Sequence, residues 1–259
     1  MANSVRLDRL LVDKGLVASR ERAQALIMGA KVLVNGSRIT KAGQKVPEDS
    51  EIVLVGEDLP YVSRGGLKLE HALKAFSVRV DGWVAMDVGA STGGFTDCLL
   101  QNGASKVYAV DVGYGQLAWK LRQDPRVVVI ERQNIRYLPR GLVPEPIRLA
   151  TIDASFISLK LVIPATLAFL DSKAEVIALI KPQFEAGRER VGKGGVVRDP
   201  KVHEEVCEDI SRFCEELGLR VLGITPSPIL GPKGNREFLL LTSHEPEPEA
   251  APLSPDPGE

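Results

Sequence analysis

From Val84 onward the chain alternates short, nearly unbroken apolar runs with stretches of helical spacing, and this alternation constrains the fold more than any other feature. Seven runs read as strands: Val84–Val88, Lys106–Asp111, Val127–Glu131, Leu149–Asp153, Val176–Ile180, Arg220–Thr225 and Phe238–Thr242. Strands without a polar face need cover on both sides, so a mostly parallel sheet between layers of helices follows. The last two runs are joined by T-P-S-P-I-L-G-P-K-G-N-R-E, which has no helical pattern, and are expected to be antiparallel neighbours.

The N-terminal segment is built differently. Leu7, Leu10, Leu11 and Lys14 have helical spacing, Gly15 ends that helix, Ser19 can cap the next, and Ala23, Leu26 and Ile27 form its apolar stripe. Asn35-Gly36 inside K-V-L-V-N-G-S-R-I-T is a two-residue hairpin signal, and Glu51–Val55 supplies another strand. Gly56 to Gly66, with Pro60 and a glycine pair, reads as a connection, so a domain is expected over residues 1–58, a linker over 59–66 and the sheet domain over 67–244.

The net charge of −1 is a cancellation. Residues 1–47 hold nine Lys/Arg against three acids, whereas residues 245–259 hold five acids, five prolines and no base. The tail cannot build a core and is expected to be disordered. The basic head suits a polyanion. Its pattern, R-L-D-R-L-L-V-D-K-G-L-V-A-S-R-E-R-A-Q-A-L-I-M-G-A-K-V-L-V-N-G, resembles the S4 RNA-binding domain, and that resemblance assigns RNA contacts to Arg6, Arg9, Arg20, Arg22 and Lys31.

Several classes drop out. Leu161 to Leu170, the longest nearly apolar stretch, is half of what a membrane span requires and contains Pro164. The start of the chain shows no apolar signal region, so the expected compartment is the cytoplasm. Cys98, Cys207 and Cys214 are too few and too scattered for a disulfide framework or a zinc site, and are expected to be ordinary buried thiols. His71, His203 and His244 are dispersed, and no metal is expected.

The first strand runs into D-V-G-A-S-T-G-G-F-T-D (Asp87 to Asp97), and the second ends at Asp111. This is the opening unit of a nucleotide-type cofactor site, with glycines for close backbone approach and an acid placed for ribose hydroxyls. The spacing G-A-S-T-G-G is not the dinucleotide fingerprint, and Asp87 beside the loop would repel a pyrophosphate and suit a cationic ligand. S-adenosylmethionine, with an adenosine, a sulfonium and no phosphate, meets that description. Open α/β sheets keep their sites at the carboxyl ends of strands, where Asp153 and Lys181 stand; Glu237 opens the last strand and Lys68 lies on the helical stretch before the first. Lysine directly after five apolar residues is either a snorkelling strand end or a functional amine.

The words R-G-G-L-K-L, D-V-G-A-S-T-G-G-F-T, V-D-V-G-Y-G-Q-L-A-W, I-D-A-S-F-I-S-L, K-P-Q-F-E and G-N-R-E-F together resemble the TlyA family, in which an S4 domain precedes an FtsJ-like ribose 2′-O-methyltransferase. The resemblance covers the chain except its acidic tail. It implies a Rossmann-like class I methyltransferase fold, α/β, behind a small α+β S4 domain. It also implies a catalytic tetrad of Lys68, Asp153, Lys181 and Glu237, and cofactor contacts from Asp87, Gly89, Ser91, Gly93, Gly94, Phe95, Asp111, Asn134 and Asp153. The implied substrate is cytidine ribose in ribosomal RNA, with ribosomal subunits as partners. One departure stands out: some members carry R-x-W-V in the linker, whereas here the stretch is L-P-Y-V (Leu59 to Val62). Competing readings are a membrane-active haemolysin, the label often attached to this family, a catalytically dead RNA-binding assembly factor, and, more distantly, a nicotinamide oxidoreductase. G-K-G-G-V-V-R-D-P (Gly192 to Pro200) reads equally as an RNA-facing mobile loop or a surface turn.

Overall fold

The computed structural model describes residues 4–17, 19–55 and 59–244, and these fall into two compact units divided after Pro60. The acidic tail lies outside the described residues.

In the first unit, strand β1 (Ser4–Arg6) leads into helices α1 (Leu7–Asp13) and α2 (Arg20–Met28). The Ser19 side chain accepts from the Arg22 amide at 3.2 Å, the expected cap. Strands β2 (Val32–Val34) and β3 (Ser37–Ile39) meet through Asn35 and Gly36, both at positive φ, as a primed two-residue turn demands. Strand β4 (Lys45–Pro47) pairs with β1, and β5 (Ile52–Leu54) pairs with β2. The three-residue β1 and β4 escaped the sequence reading because neither is long enough to show alternation. Leu7, Leu10, Leu11, Leu26, Ile27 and Val32 close a small core.

The second unit starts with helix α3 (Gly65–Ala75) and strand β6 (Val84–Val88). Helix α4 (Gly94–Gln101), β7 (Lys106–Val110), the short α5 (Trp119–Arg122) and β8 (Val127–Ile130) follow. Next come β9 (Ile147–Ile152), α6 (Leu159–Leu167), β10 (Leu170–Ile180), the single turn α7 (Pro182–Glu185), α8 (Pro200–Glu216), β11 (Arg220–Pro226) and β12 (Phe238–His244). All seven expected strands form one sheet in the order β11-β12-β10-β9-β6-β7-β8. β12 alone is antiparallel, inserted between β10 and β11.

Both faces of the sheet are buried, which explains the missing polar alternation. Met86, Ile152, Ile180 and Leu240 face α6 and α8, while Ala85, Leu149, Ile177 and Leu239 face α3 and α4. β10 begins six residues earlier than its apolar run because the polar stretch after Leu170 forms a bulge between Leu170 and Glu175 that still pairs with β9. The linker expectation is also corrected. Tyr61 is buried in the second unit against Gly66, where an added Cβ would lie 2.3 Å from the ring, so residues 61–66 are part of the sheet domain's packing. The strand order reverses at β6, between β7 and β9, and the crevice at that switch point is where such sheets bind ligands.

Leu11 is fully buried in the small first core. Leu11→Ala should destabilise that unit by about 2–5 kcal/mol, seen in urea denaturation as an earlier transition that leaves the sheet unit's transition in place.

Candidate active site

The loop after β6 is shaped by two close approaches. Gly89 has φ of +86°, and a Cβ there would sit 2.8 Å from the Asp153 carbonyl, so the loop runs against the end of β9 only because the residue is glycine. Gly93 and Gly94 are needed for packing within the chain: a Cβ on Gly93 would strike Leu121, and one on Gly94 would strike Ser63. The Ser91 amide donates to Asp111 Oδ2 at 2.7 Å, and the Gly113 amide to Oδ1 at 2.6 Å. Asp111 therefore ties the loop after β6 to the loop after β7, and each of its oxygens keeps a further lone pair for a ligand hydroxyl.

Two lysine–carboxylate pairs stand beside this loop. Lys68, on the first turn of α3, donates to Glu237 Oε2 at 2.5 Å, with the carboxylate fully buried. Glu237 is pressed by Gly231, where a Cβ would overlap its Oε1 at 2.0 Å. Lys181 Nζ donates to the Ala154 carbonyl at 3.0 Å and Ser155 Oγ at 2.8 Å, and forms an ion pair with Asp153, whose Oδ1 lies 2.5 Å away. Two of the three N–H bonds of the ammonium are thereby committed. Lys181 is 6% exposed, so the snorkelling alternative does not hold. The antiparallel register that pairs Ile180 with Phe238 brings Lys181 and Glu237, one residue beyond each, to the same edge of the sheet.

A cavity of about 350 Å³ opens here, and Lys68, Gly89, Ser91, Gly94, Phe95 and Asp153 line it. Lys181 and Glu237 sit behind the wall, each through its partner. Asp111 lies beside Ser91, and Asn134 follows Gln133, whose amide bonds the Asp111 carbonyl; the Asn134 side chain caps a short turn by accepting from the Arg136 amide. Asp87 does not reach the cavity and is corrected as a contact residue. It is fully buried beneath the loop, accepting from the Thr96 amide at 2.9 Å, the Thr96 hydroxyl at 2.7 Å and the Thr151 hydroxyl at 3.3 Å. It anchors α4. Burial pushes its carboxyl up to about 7 against the Thr96 and Thr151 hydrogen bonds, with the nearby Asp153 charge adding to the rise.

Sequence reasoning missed three neighbours. Ser155 holds Lys181, as above. Asp97 accepts from the Val62 amide at 2.8 Å and pairs with Lys120 at 2.9 Å, fastening residues 61–63 to α4. Phe156 is 90% exposed at positive φ, 5.1 Å from the Phe184 ring, at the rim of a second cavity of about 460 Å³ that Gln183, Arg188, Gly192 and Gly195 also line. The Gly192–Pro200 stretch is thus a cavity wall, secured by Asn235, which donates to the Gly195 carbonyl and accepts from the Val197 amide. An exposed aromatic three residues after a strand-end acid was the available signal. Cys98 and Cys214 are buried as expected, whereas Cys207 is half-buried; burial pushes the Cys98 thiol up to about 12 and those of Cys207 and Cys214 up to about 11, which disfavours their thiolates.

In the basic head, Arg6 and Arg20 converge on Asp8, Arg9 pairs with Asp13 at 3.3 Å, and Arg22 donates to the Leu59 carbonyl at 3.3 Å. Lys31 is half-buried where the chain enters β2.

The chain matches the model of the FtsJ-like methyltransferases over residues 61–244 and that of the S4 domain over residues 5–52. It is 45% identical over 245 residues to the 16S/23S rRNA (cytidine-2′-O)-methyltransferase TlyA of Mycobacterium tuberculosis (strain CDC 1551 / Oshkosh), covering 93% of this chain and 90% of that one. It is 41% identical over 236 residues to Hemolysin A of Brachyspira hyodysenteriae, covering 91% and 98%. The solved structure of a hemolysin-named protein from Streptococcus thermophilus superposes with a TM-score of 0.74 at 47% identity, covering 95% of this chain and 90% of that one.

An acid whose folded pKa is raised contributes stability that is complete at low pH and is lost as pH rises through the folded value. For Asp87 that window runs from about pH 4 to about pH 7. Asp87→Asn should remove this loss, so its stability relative to the parent protein should improve by on the order of 4 kcal/mol between pH 4 and pH 8, measured by chemical denaturation across that range.

Proposed function

Because the chain belongs to the TlyA family of FtsJ-like methyltransferases carrying an S4 domain, we propose that it methylates cytidine ribose 2′-hydroxyls in ribosomal RNA with S-adenosylmethionine as methyl donor. One observation carries the chemistry: two lysine–carboxylate pairs, the buried Lys68–Glu237 and the partly buried Lys181–Asp153, meet a glycine loop at the carboxyl edge of the sheet.

The residues fit the cofactor. A pyrophosphate needs loop amides pointing outward, but the Ser91 and Gly113 amides are already given to Asp111, which leaves an acceptor surface for ribose hydroxyls. When bound, S-adenosylmethionine supplies an electrophilic methyl carbon on a cationic sulfur. The chain's task is to align a weak nucleophile with it and to handle one proton. Lys181, paired with Asp153 of the cavity wall, is the group assigned to the ribose 2′-oxygen as it gains negative charge. As an ammonium it stabilises that charge by donating, and it accepts the proton itself only after passing one of its own to Asp153. Lys68, in the cavity wall, orients the ribose or its phosphate, and Glu237 holds Lys68 in place. The basic first unit supplies attraction for RNA phosphates, with contacts from Arg6, Arg9, Arg20, Arg22 and Lys31.

Among the described residues no helix is long and apolar enough to cross a membrane. Nor are any three or more metal-ligating side chains grouped to hold an ion among those residues.

The test combines purified protein, radiolabelled S-adenosylmethionine and unmethylated ribosomal subunits, with the product located by mass spectrometry. A 2′-O-methylcytidine in ribosomal RNA is expected; a methyl group on a base, or none on either subunit, would overturn the proposal. Lys181→Ala should cut turnover by about 10²–10⁴-fold while calorimetry still detects cofactor binding.

A further inference from the structure

Among the described residues, Asp8 is the one fully buried acid in a domain whose exposed charge is mostly basic, and it is surrounded by donors. Its Oδ1 accepts from Arg6 Nε at 3.0 Å, and its Oδ2 accepts from Arg6 Nη2 at 2.9 Å, Arg20 Nε at 3.0 Å and Gln24 Nε2 at 3.0 Å. The two arginines stand at the starts of the two helices, Arg6 just before α1 and Arg20 opening α2, and remain about half exposed, 45% for Arg6 and 53% for Arg20. Arg6 is bound side-on and also confined by Gly43, where an added Cβ would lie 3.2 Å from Nη1. Arg20 is held through Nε alone, so both of its terminal nitrogens, the pair that grips a phosphate bidentately, have no protein partner among the described residues.

We propose that Asp8 is a positioning residue for RNA binding: it fixes the Arg20 guanidinium with its two terminal nitrogens facing outward as a phosphate fork, and uses Arg6 as the brace that completes the cluster. The inference rests on the RNA-binding reading of the head. Three features support it. A long arginine side chain loses rotamer freedom when it binds, and one already held at Nε loses less on meeting a phosphate. The Arg6 guanidinium keeps the Asp8 carboxyl well below the usual carboxylate range, so the brace is charged at neutral pH. The carboxylate is itself fully buried, so it adds no exposed negative surface for RNA to avoid.

Simple electrostatics and positioning make opposite forecasts for Asp8→Asn. Removing an acid from a basic face should tighten binding to a polyanion, whereas releasing Arg20 should weaken it. The experiment measures filter binding of the full-length protein to unmethylated 50S ribosomal subunits at fixed salt, for the parent, Asp8→Asn, Arg20→Ala and the double variant. Expected are a roughly tenfold weakening by Asp8→Asn, unchanged cofactor affinity by calorimetry, and little further effect of Asp8→Asn once Arg20 is alanine. Equal or tighter binding by Asp8→Asn, or an equal loss in the Arg20→Ala background, overturns the inference. If Arg20→Ala binds as the parent does, the RNA-gripping role of Arg20 falls instead, which separates the two failures. Should Asp8→Asn lack folded helix content by circular dichroism, Asp8→Glu decides by the same readout: it keeps the charge and moves it by one methylene, so weakened binding supports positioning and parental binding overturns it.

Discussion

A lysine ammonium taken out of water must find an anion, and this sheet meets that demand twice along one edge. Removing one partner of such a buried pair costs about 3–5 kcal/mol, so Lys68 and Glu237, 169 positions apart in sequence, constrain everything between them. The constraint can be met because β12 runs against its neighbours. The other strands leave the sheet at the edge where the loops after β6, β9 and β10 gather; the antiparallel β12 enters there instead, and brings Glu237 with it. A parallel seventh strand would begin at the opposite edge, and Lys68 would be left buried without a counter-ion. The reversal of one strand is therefore what lets α3, β9, β10 and β12 contribute to a single cluster.

The fold was legible where burial writes a local pattern. Apolar runs such as Val84–Val88 and Val176–Ile180 are strands because both sheet faces are covered, and Asn35-Gly36 is a turn because its positive φ angles select those residues. Lys68, Asp153, Lys181 and Glu237 were legible as polar residues at strand or helix ends within recognisable words. What local pattern cannot carry is which groups a residue meets across the chain. Asp87 reads as a cofactor contact from its place beside the loop, yet its partners are Thr96 and Thr151, and only the packed sheet shows that it is fully buried away from the cavity. Tyr61 reads as linker because Pro60 precedes it and two glycines follow, but Gly66 is glycine in order to receive its ring. Asp8 looks like an ordinary helix-opening acid until Arg20, twelve residues on, is seen to share it.

The placement of charge answers a conflict in the chemistry. An RNA substrate calls for positive potential, whereas a sulfonium cofactor is repelled by it. Lysines offered alone at the carboxyl edge would serve the first demand and violate the second. Pairing each with a carboxylate makes the cluster neutral as a whole and, on the proposed reading, keeps an ammonium donor for the ribose oxygen as it becomes negative. Asp111 adds acceptor character where ribose hydroxyls would lie. The surplus of positive charge is placed in residues 1–47, with nine bases to three acids, and one of those acids is buried under two arginines. The nearly neutral total charge is then the arithmetic consequence of a basic head and an acidic tail on either side of a nearly balanced sheet domain.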